Sequence, residues 1–157
     1  MLPDLLAPGL KLVICGSAAG QKSADLGHYY AGPGNQLWQT LFDIGLTPRV
    51  LLPAEWELLL ESSIGLTDMV KDQSGADSSI RFSGGNELRK KMRKFQPGML
   101  VFNGKRAAQE YLGVTDMAYG LRKDVIDKTK LFVAPSTSAA AKSSWDPRYW
   151  QIMTKLL

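Results

Sequence analysis

The sequence predicts an α/β fold in which a parallel sheet is covered by helices on both faces. Short, continuous apolar runs recur along the chain and end in Gly, Asn or Pro, which is typical of strands buried inside a parallel sheet. Stretches with apolar residues at helical spacing lie between these runs. Strands that alternate with helices pair in parallel and pack helices against both faces of the sheet.

The apolar runs predict four strands. Three runs are clear and each is followed by a loop, whereas the run at residues 64–70 is weaker. In a sheet of this kind, ligands bind beyond the carboxyl ends of the strands. We therefore expect the loops that begin at Gly16, Asn103 and Pro135 to surround one crevice. The predicted strands are residues 11–15, 64–70, 99–102 and 131–134.

Five helices are predicted between and after these strands. The first carries Leu37, Leu41 and Ile44 on one face, and Asn35 can cap its start. The helix at 86–95 is rich in Lys and Arg, which favours a solvated face; contact with DNA is the bolder interpretation. The predicted helices are residues 36–44, 55–60, 86–95, 105–112 and 147–157.

Length and composition favour one reduced, intracellular domain over residues 1–157. The chain has 157 residues and a single cysteine, Cys15, so a disulfide framework is excluded. We expect no signal peptide and no membrane span, and hence a cytoplasmic location, because the early leucines are interrupted and no apolar run is long enough to span. The net charge of +4, with clustered basic residues, is compatible with a polyanionic partner.

The segment Gly16-Ser-Ala-Ala-Gly20 resembles a ligand-gripping loop after a strand. Alone, it favours only a tight strand-to-helix turn, since it lacks the third glycine of a dinucleotide fingerprint and the Lys-Ser/Thr ending of a phosphate loop. A Rossmann-like nucleotide binder is one alternative. The missing glycine and the missing acidic partner for a ribose count against it.

A longer series of motifs is more specific than this loop. After the glycine loop come YAGPGNQLW, GLTDMV, FQP, VFNGK and PSTSA, at residues 30–38, 65–70, 95–97, 101–105 and 135–139. This series resembles the mismatch-specific uracil- and thymine-DNA glycosylases of the uracil-DNA glycosylase superfamily, over nearly the whole chain. The resemblance implies a three-layer α/β/α sandwich with a central, mostly parallel four-stranded sheet.

The resemblance also implies an activity, namely monofunctional removal of a damaged base from DNA by hydrolysis of its N-glycosidic bond. The partner is then DNA that contains uracil or a related deaminated or 5-modified base. No cofactor or metal is implied, and one histidine with one cysteine could not build a usual zinc site. We infer no obligate protein partner and expect a monomer.

By this resemblance, Tyr30 is the aromatic residue that stacks on the extruded base. Gly16, Ser17 and Ala18 shape the base pocket with their backbone. Small residues at positions 31, 32 and 34 let the backbone approach the ligand and leave room beside the 5-position of the base. This small lining predicts tolerance for 5-substituted uracils.

The phosphate contacts implied by the resemblance lie in two loops. Ser136, Thr137 and Ser138 occupy the place where the family holds the phosphates that flank the flipped nucleotide. Lys22 and Ser23 are candidates for the same role from the first loop. Where relatives insert a wedge into the vacated stack, this chain has three alanines at 139–141, so the wedge is either reduced or supplied by Lys142.

The first motif lacks the residue expected to activate water. The family sequence there is Gly-Ile-Asn-Pro-Gly, with the asparagine positioning water, but Ala18 stands at the matching position. Asp68 is the best substitute, either as a carboxylate that stabilises a cationic sugar or orients water, or, when protonated, as a donor to the base. Asn35 is the second catalytic candidate, although a helix cap suits its position better.

The loss of this asparagine leaves a second functional class open. The chain could be a binding protein of the same fold, in which hydrolysis is lost at Ala18 and uracil DNA or abasic DNA is only held. Multiple turnover on a uracil oligonucleotide distinguishes the enzyme from the binder.

Overall fold

The computed structural model describes residues 2–70 and 85–157. Five strands and five α-helices, together with two 3₁₀ segments, make up the regular structure of these residues. In chain order they are β1 (Leu12–Gly16), α1 (Gln21–Leu26), α2 (Leu37–Asp43), a 3₁₀ segment (Pro53–Ser62), β2 (Ile64–Asp68), α3 (Gly85–Phe95), β3 (Met99–Asn103), α4 (Lys105–Leu112), β4 (Gly120–Ile126), β5 (Thr129–Ala134), a second 3₁₀ segment (Ala139–Ser144) and α5 (Pro147–Lys155).

The strands form one sheet in the order β2-β1-β3-β5-β4. β2, β1, β3 and β5 pair in parallel, which confirms the predicted parallel sheet. β4 is an additional fifth strand and pairs antiparallel with β5. The fold is therefore a mixed α/β sheet with five strands instead of the four that were predicted.

β4 was missed because its sequence does not look like a buried strand. It is an edge strand, and Arg122, Lys123 and Asp124 lie in its middle. Only Ile126 at its end is buried, and the pairing register shifts between Leu121 and Val125. Edge strands tolerate charges and irregular pairing because one side of the strand makes no ladder.

Alternate residues of the central strands pack into two separate cores, one on each face of the sheet. In β1, Leu12 and Ile14 pack with α2, the first 3₁₀ segment and α5, while Val13 and Cys15 pack with α3 and α4. Strand residues point alternately to opposite faces, so every position of β1 is buried. This arrangement gives the three-layer α/β/α sandwich that was expected, and it places Cys15 in the core.

Helix boundaries follow the sequence closely, with two exceptions. α1 was not predicted, because its six residues leave only Ser23 buried and carry no apolar repeat. The segment predicted as a helix at 55–60 lies within a 3₁₀ run that begins at Pro53. None of the helices in residues 2–70 and 85–157 combines the length and apolar character that a membrane crossing requires.

Four parallel strands end at the same edge of the sheet. Gly16 at the end of β1 is in register with Asp68 at the end of β2. Asn103 at the end of β3 is in register with Ala134 at the end of β5. The loops that follow these strands therefore meet, as the parallel topology predicts.

Candidate active site

A cleft of about 570 Å³ opens at the carboxyl edge of the sheet. The three loops that were expected to surround one crevice all line it. Of the predicted site residues, Lys22 and Lys142 alone do not line it. The residues that line it include Gly16, Ser17, Ala18, Ser23, Tyr30, Asn35, Asp68, Asn103, Lys105, Arg106, Tyr119, Ser136, Thr137 and Ser138.

Gly16, Asp68 and Tyr30 meet at the floor of the cleft. A Cβ atom on Gly16 would lie 2.8 Å from Asp68 Oδ1 and 3.0 Å from the Tyr30 hydroxyl oxygen. Asp68 is only 6% exposed. Glycine at position 16 is therefore what lets a buried carboxylate and a phenol oxygen approach the end of β1 together.

Tyr30 has an unusual conformation and an unusual hydroxyl group. Its backbone φ is +50°, in the left-handed region that bulky residues rarely adopt. Its carbonyl oxygen accepts a hydrogen bond from Trp38 Nε1 at 3.2 Å. The hydroxyl oxygen is buried and makes no direct hydrogen bond within the described residues, although the nearby Asn103 side chain acts to lower the pKa of Tyr30. Burial, followed by the charge of Asp68, raises the pKa of Tyr30 well above its ordinary value, so the hydroxyl stays protonated.

The neighbouring Tyr29 has a different environment, because it belongs mainly to the core. It is 2% exposed, and its ring packs against Trp56 with centroids 5.2 Å apart. Its hydroxyl donates to the carbonyl oxygen of Pro3 at 2.8 Å. Of the paired tyrosines, Tyr30 is thus the one whose polar group is not used by the fold.

Asn103 and Thr137 form a reciprocal pair that the sequence reasoning did not single out. Asn103 Nδ2 donates to Thr137 Oγ1 and Thr137 N donates to Asn103 Oδ1, each at 2.9 Å. The carbonyl oxygen of Thr137 also accepts from Gln36 N at 2.9 Å. Thr137 therefore joins the end of β3, the start of α2 and the loop after β5. In the sequence, the one sign of this pair was Asn103, a polar residue at the end of a predicted strand.

Ser136 and Ser138 flank this buried threonine. Ser136 Oγ accepts a hydrogen bond from Ser138 N at 3.2 Å, and Ser138 Oγ accepts from Ala140 N at the same distance. These bonds use hydroxyl lone pairs and leave the hydroxyl protons free to donate. Such an arrangement suits an anion that accepts hydrogen bonds, such as a phosphate.

The first loop differs in detail from the predicted phosphate contacts. Ser23 is 4% exposed and its Oγ accepts from Ala31 N at 2.8 Å, so this side chain secures the segment that carries Tyr30. Lys22 and Lys142 are exposed and lie outside the cleft lining. The cations that do line the cleft are Lys105 and Arg106, at the start of α4.

The rim beside Lys105 is aromatic. Lys105 Nζ lies 4.4 Å from the centroid of the Tyr119 ring, and Tyr119 packs against Tyr149 with centroids 5.0 Å apart. Cations over aromatic faces are attracted by the ring quadrupole. Lys105 is thus held at the cleft by a contact with an aromatic ring, which does not neutralise charge as a carboxylate would.

Asn35 lines the cleft with a polar side chain and Ala18 lines it with a methyl group. Asn35 Oδ1 accepts from Leu37 N at 3.0 Å, just before α2, where Gln36 is the N-cap residue, and the amide nitrogen of Asn35 remains a donor for a ligand. Ala18 contributes a methyl group, part of which packs against the core. The backbone after Gly16 is tied to β2, since Met69 N and Val70 N donate to the carbonyl oxygens of Gly16 and Ser17, each at 2.8 Å.

The basic helix α3 lies away from the cleft lining. Lys91 pairs with Asp4 at 2.7 Å. Arg89 lies over the ring of Tyr111 at 5.3 Å from the centroid. These contacts within the protein favour the interpretation of the basic face of α3 as a solvated surface over that of a DNA-binding surface. In the described residues, no group of three or more His, Cys, Asp or Glu side chains is arranged as a metal site.

Comparison with known proteins agrees with this architecture. The model of the uracil DNA glycosylase superfamily matches residues 3–154. The fold is similar to the solution NMR structure of a protein from Methanosarcina acetivorans that is named as a candidate uracil DNA glycosylase. That similarity has a TM-score of 0.65 and 21% sequence identity, and it covers 99% of this chain and 94% of the other. Because the family match spans nearly the whole chain and the fold agrees with it, this protein belongs to the uracil DNA glycosylase superfamily.

Proposed function

We propose that this protein is a monofunctional DNA glycosylase that hydrolyses the N-glycosidic bond of uracil in DNA and leaves an abasic site. The observation that carries the proposal is the position of Asp68, a buried carboxylate on the floor of a cleft that also holds Tyr30. The superfamily to which the chain belongs acts on DNA, and the cations and serine hydroxyls of the cleft suit a phosphate backbone.

Access to the glycosidic bond requires that the base leave the duplex. Extrusion costs a few kcal/mol, and the cost is smaller for a weakly paired base such as uracil opposite guanine. Stacking on an aromatic ring returns about 1–3 kcal/mol per base, and Tyr30 is the aromatic residue at the cleft floor. Selection for mismatched uracil follows because stacking offsets the cost of extrusion more fully for a weakly paired base than for a well-paired one.

Bond cleavage develops positive charge on the sugar and negative charge on the departing base. The Asp68 carboxylate stabilises the cationic sugar or orients the water that attacks it. Ala18 has no polar group for this task, which leaves Asp68 as the nearest chemical replacement. Asn35 is the second candidate, through its amide nitrogen, while the oxygen of that side chain accepts from Leu37 N.

The cleft wall at Gly32 also has room for a substituent at the 5-position of the base. Gly32 lines the cleft and a Cβ atom there would meet nothing within 4 Å. Because no side chain fills this part of the wall, we propose that 5-substituted uracils are accepted as substrates.

Single-turnover excision of uracil from a synthetic duplex tests the proposal. Asp68→Ala should slow base release by about 100-fold or more, because a group that stabilises transition-state charge is lost. Asp68→Asn should retain more activity if hydrogen bonding outweighs charge. Asp116→Ala is the matched control, since Asp116 is exposed and outside the cleft lining.

The same assay distinguishes the enzyme from a binding protein. Stoichiometric, tight binding of uracil DNA without release of base by the parent protein would establish the binder, in which the methyl group of Ala18 has replaced the water-positioning amide. Excision by Asp68→Ala at the parent rate would instead transfer the catalytic role to Asn35 or to the pocket backbone.

A further inference from the structure

The Tyr30 hydroxyl is a buried polar group that the free protein leaves unused. In residues 2–70 and 85–157, three buried side-chain polar atoms lack a hydrogen-bond partner: Tyr30 Oη, Arg122 Nε and Thr154 Oγ1. Of these three residues, Tyr30 is the one that lines the cleft. Buried polar groups are nearly always paired, so an exception at a ligand site calls for a partner that arrives with the ligand.

Stacking alone does not account for a tyrosine at this position. A phenylalanine would present the same ring to a base and would avoid the unfavourable burial of an unpaired hydroxyl. Tyr30 also adopts a φ of +50°, which is strained for an aromatic residue. The fold therefore tolerates two unfavourable features at one residue, a strained backbone angle and an unpaired buried hydroxyl, at the floor of the cleft.

The hydroxyl supplies a kind of chemistry that its neighbour Asp68 lacks. Because the pKa of Tyr30 is raised by burial and by the charge of Asp68, its hydroxyl remains a donor at neutral pH. An ionised Asp68 can only accept hydrogen bonds and repels the anion of a departing base. A carbonyl oxygen of that base, which gains negative charge as the glycosidic bond breaks, needs a donor.

We propose that the Tyr30 hydroxyl is a specificity-determining hydrogen-bond donor to a carbonyl oxygen of the extruded base. The hydroxyl is enclosed in the free protein, so this contact requires the Tyr30 ring to shift when the base enters the cleft. This inference rests on the proposed function and adds to it a recognition role distinct from ring stacking.

Tyr30→Phe separates the hydroxyl from the ring. Single-turnover excision of uracil should fall about ten-fold, since one donor to the transition state is lost while stacking remains. The melting temperature of the free protein should rise by about 2–4 °C, because an unpaired buried hydroxyl is removed. Tyr111→Phe is the control: its hydroxyl lies outside the cleft and already accepts from Arg89, so excision should be unchanged.

Sulfur substitution of the base identifies the atom that accepts the bond. Sulfur accepts hydrogen bonds weakly, so the parent should discriminate uracil from 2-thiouracil or from 4-thiouracil more strongly than Tyr30→Phe does. Equal discrimination by both proteins for both analogues would overturn the inference. So would an unchanged melting temperature in Tyr30→Phe, because the hydroxyl would then already be satisfied in the free protein.

The two proposals fail in different ways. A parent protein that releases no uracil overturns the proposed function and the donor role with it. A parent that excises uracil while Tyr30→Phe excises it equally well overturns the donor role alone.

Discussion

Replacement of Gly16 by alanine is the most direct test of the geometry at the cleft floor. The added methyl carbon would lie 2.8 Å from Asp68 Oδ1 and 3.0 Å from the Tyr30 hydroxyl oxygen. Both distances are well below an ordinary carbon–oxygen contact, so Asp68, Tyr30 or the end of β1 must move. The backbone φ of Gly16 lies outside the left-handed range, so the methyl group itself is the perturbation.

The size of the effect follows from this crowding. Insertion of a methyl group into a packed region commonly costs about 1–3 kcal/mol of stability. The effect on catalysis should be larger, because displacement of a reacting group by about 1 Å can slow a reaction about 100-fold. We expect Gly16→Ala to remain folded, to bind DNA, and to release uracil at least about 100-fold more slowly than the parent.

Excision in a single turnover should be measured beside a variant with crowding elsewhere. A Cβ atom on Gly98 would lie 3.1 Å from the carbonyl oxygen of Lys11, and Gly98 is not part of the cleft lining. Gly98→Ala should therefore lose stability without losing activity in the folded fraction. Urea denaturation gives the folded fraction of each variant and allows the rates to be compared on that basis.

A Gly16→Ala protein that excises uracil at the parent rate would refute the reasoning. It would show that Asp68 and Tyr30 can leave the end of β1 without consequence, and that neither group acts from the position seen here. A Gly98→Ala protein with an equal loss of activity would also refute it, because the effect would then come from lost stability.

Two further predictions concern charge. Lys105→Ala and Arg106→Ala should each reduce the slope of log K for DNA binding against log salt concentration by about 0.9, if each cation neutralises one phosphate. Arg89→Glu on α3 should leave this slope unchanged. Fluorescence anisotropy at several salt concentrations measures the slope. Hydrogen bonds from Arg49 lower the pKa of Glu55 from its ordinary value of 4.5 to about 2, so this pair stabilises the fold above pH 4.5 and the contribution is lost as the pH falls toward about 2. Glu55→Gln should therefore weaken the pH dependence of unfolding in that acid range, as measured by denaturation at stepped pH, and a curve identical to that of the parent would contradict the assignment.

The parallel sheet could be predicted from the sequence because burial on both faces leaves a continuous apolar run. Leu12, Val13 and Ile14 are fully buried, and no polar residue interrupts them. β4 could not be predicted in the same way, since an edge strand needs little apolar surface and carries Arg122, Lys123 and Asp124. The short α1 escaped prediction because Ser23 is the one buried residue among its six, so the helix shows no apolar repeat.

The candidate site shows the same division between local and tertiary information. The loops around the cleft follow from strand order, whereas Tyr30 and Asp68 were assigned to the site by the resemblance to the mismatch-specific glycosylases. The pairing of Asn103 with Thr137 joins residues that are 34 positions apart, and no local pattern reveals it. Lys105 was not predicted as a site residue because its sequence context is that of an ordinary amphipathic helix. It is the first residue of α4, and this end of the helix lies at the cleft.

The bonds around Thr137 join the two walls of the cleft, one proposed to hold the base and the other the phosphates, in a single hydrogen-bonded network. Thr137 ties the loop of Ser136 and Ser138 to Asn103, and through Gln36 to the start of α2, just after the segment that carries Tyr30. Residues that share a network of this kind do not contribute independent free energies. Substitutions on the two walls of the cleft should therefore be non-additive: once one wall has shifted, the loss of a contact on the other costs less than it does in the intact protein.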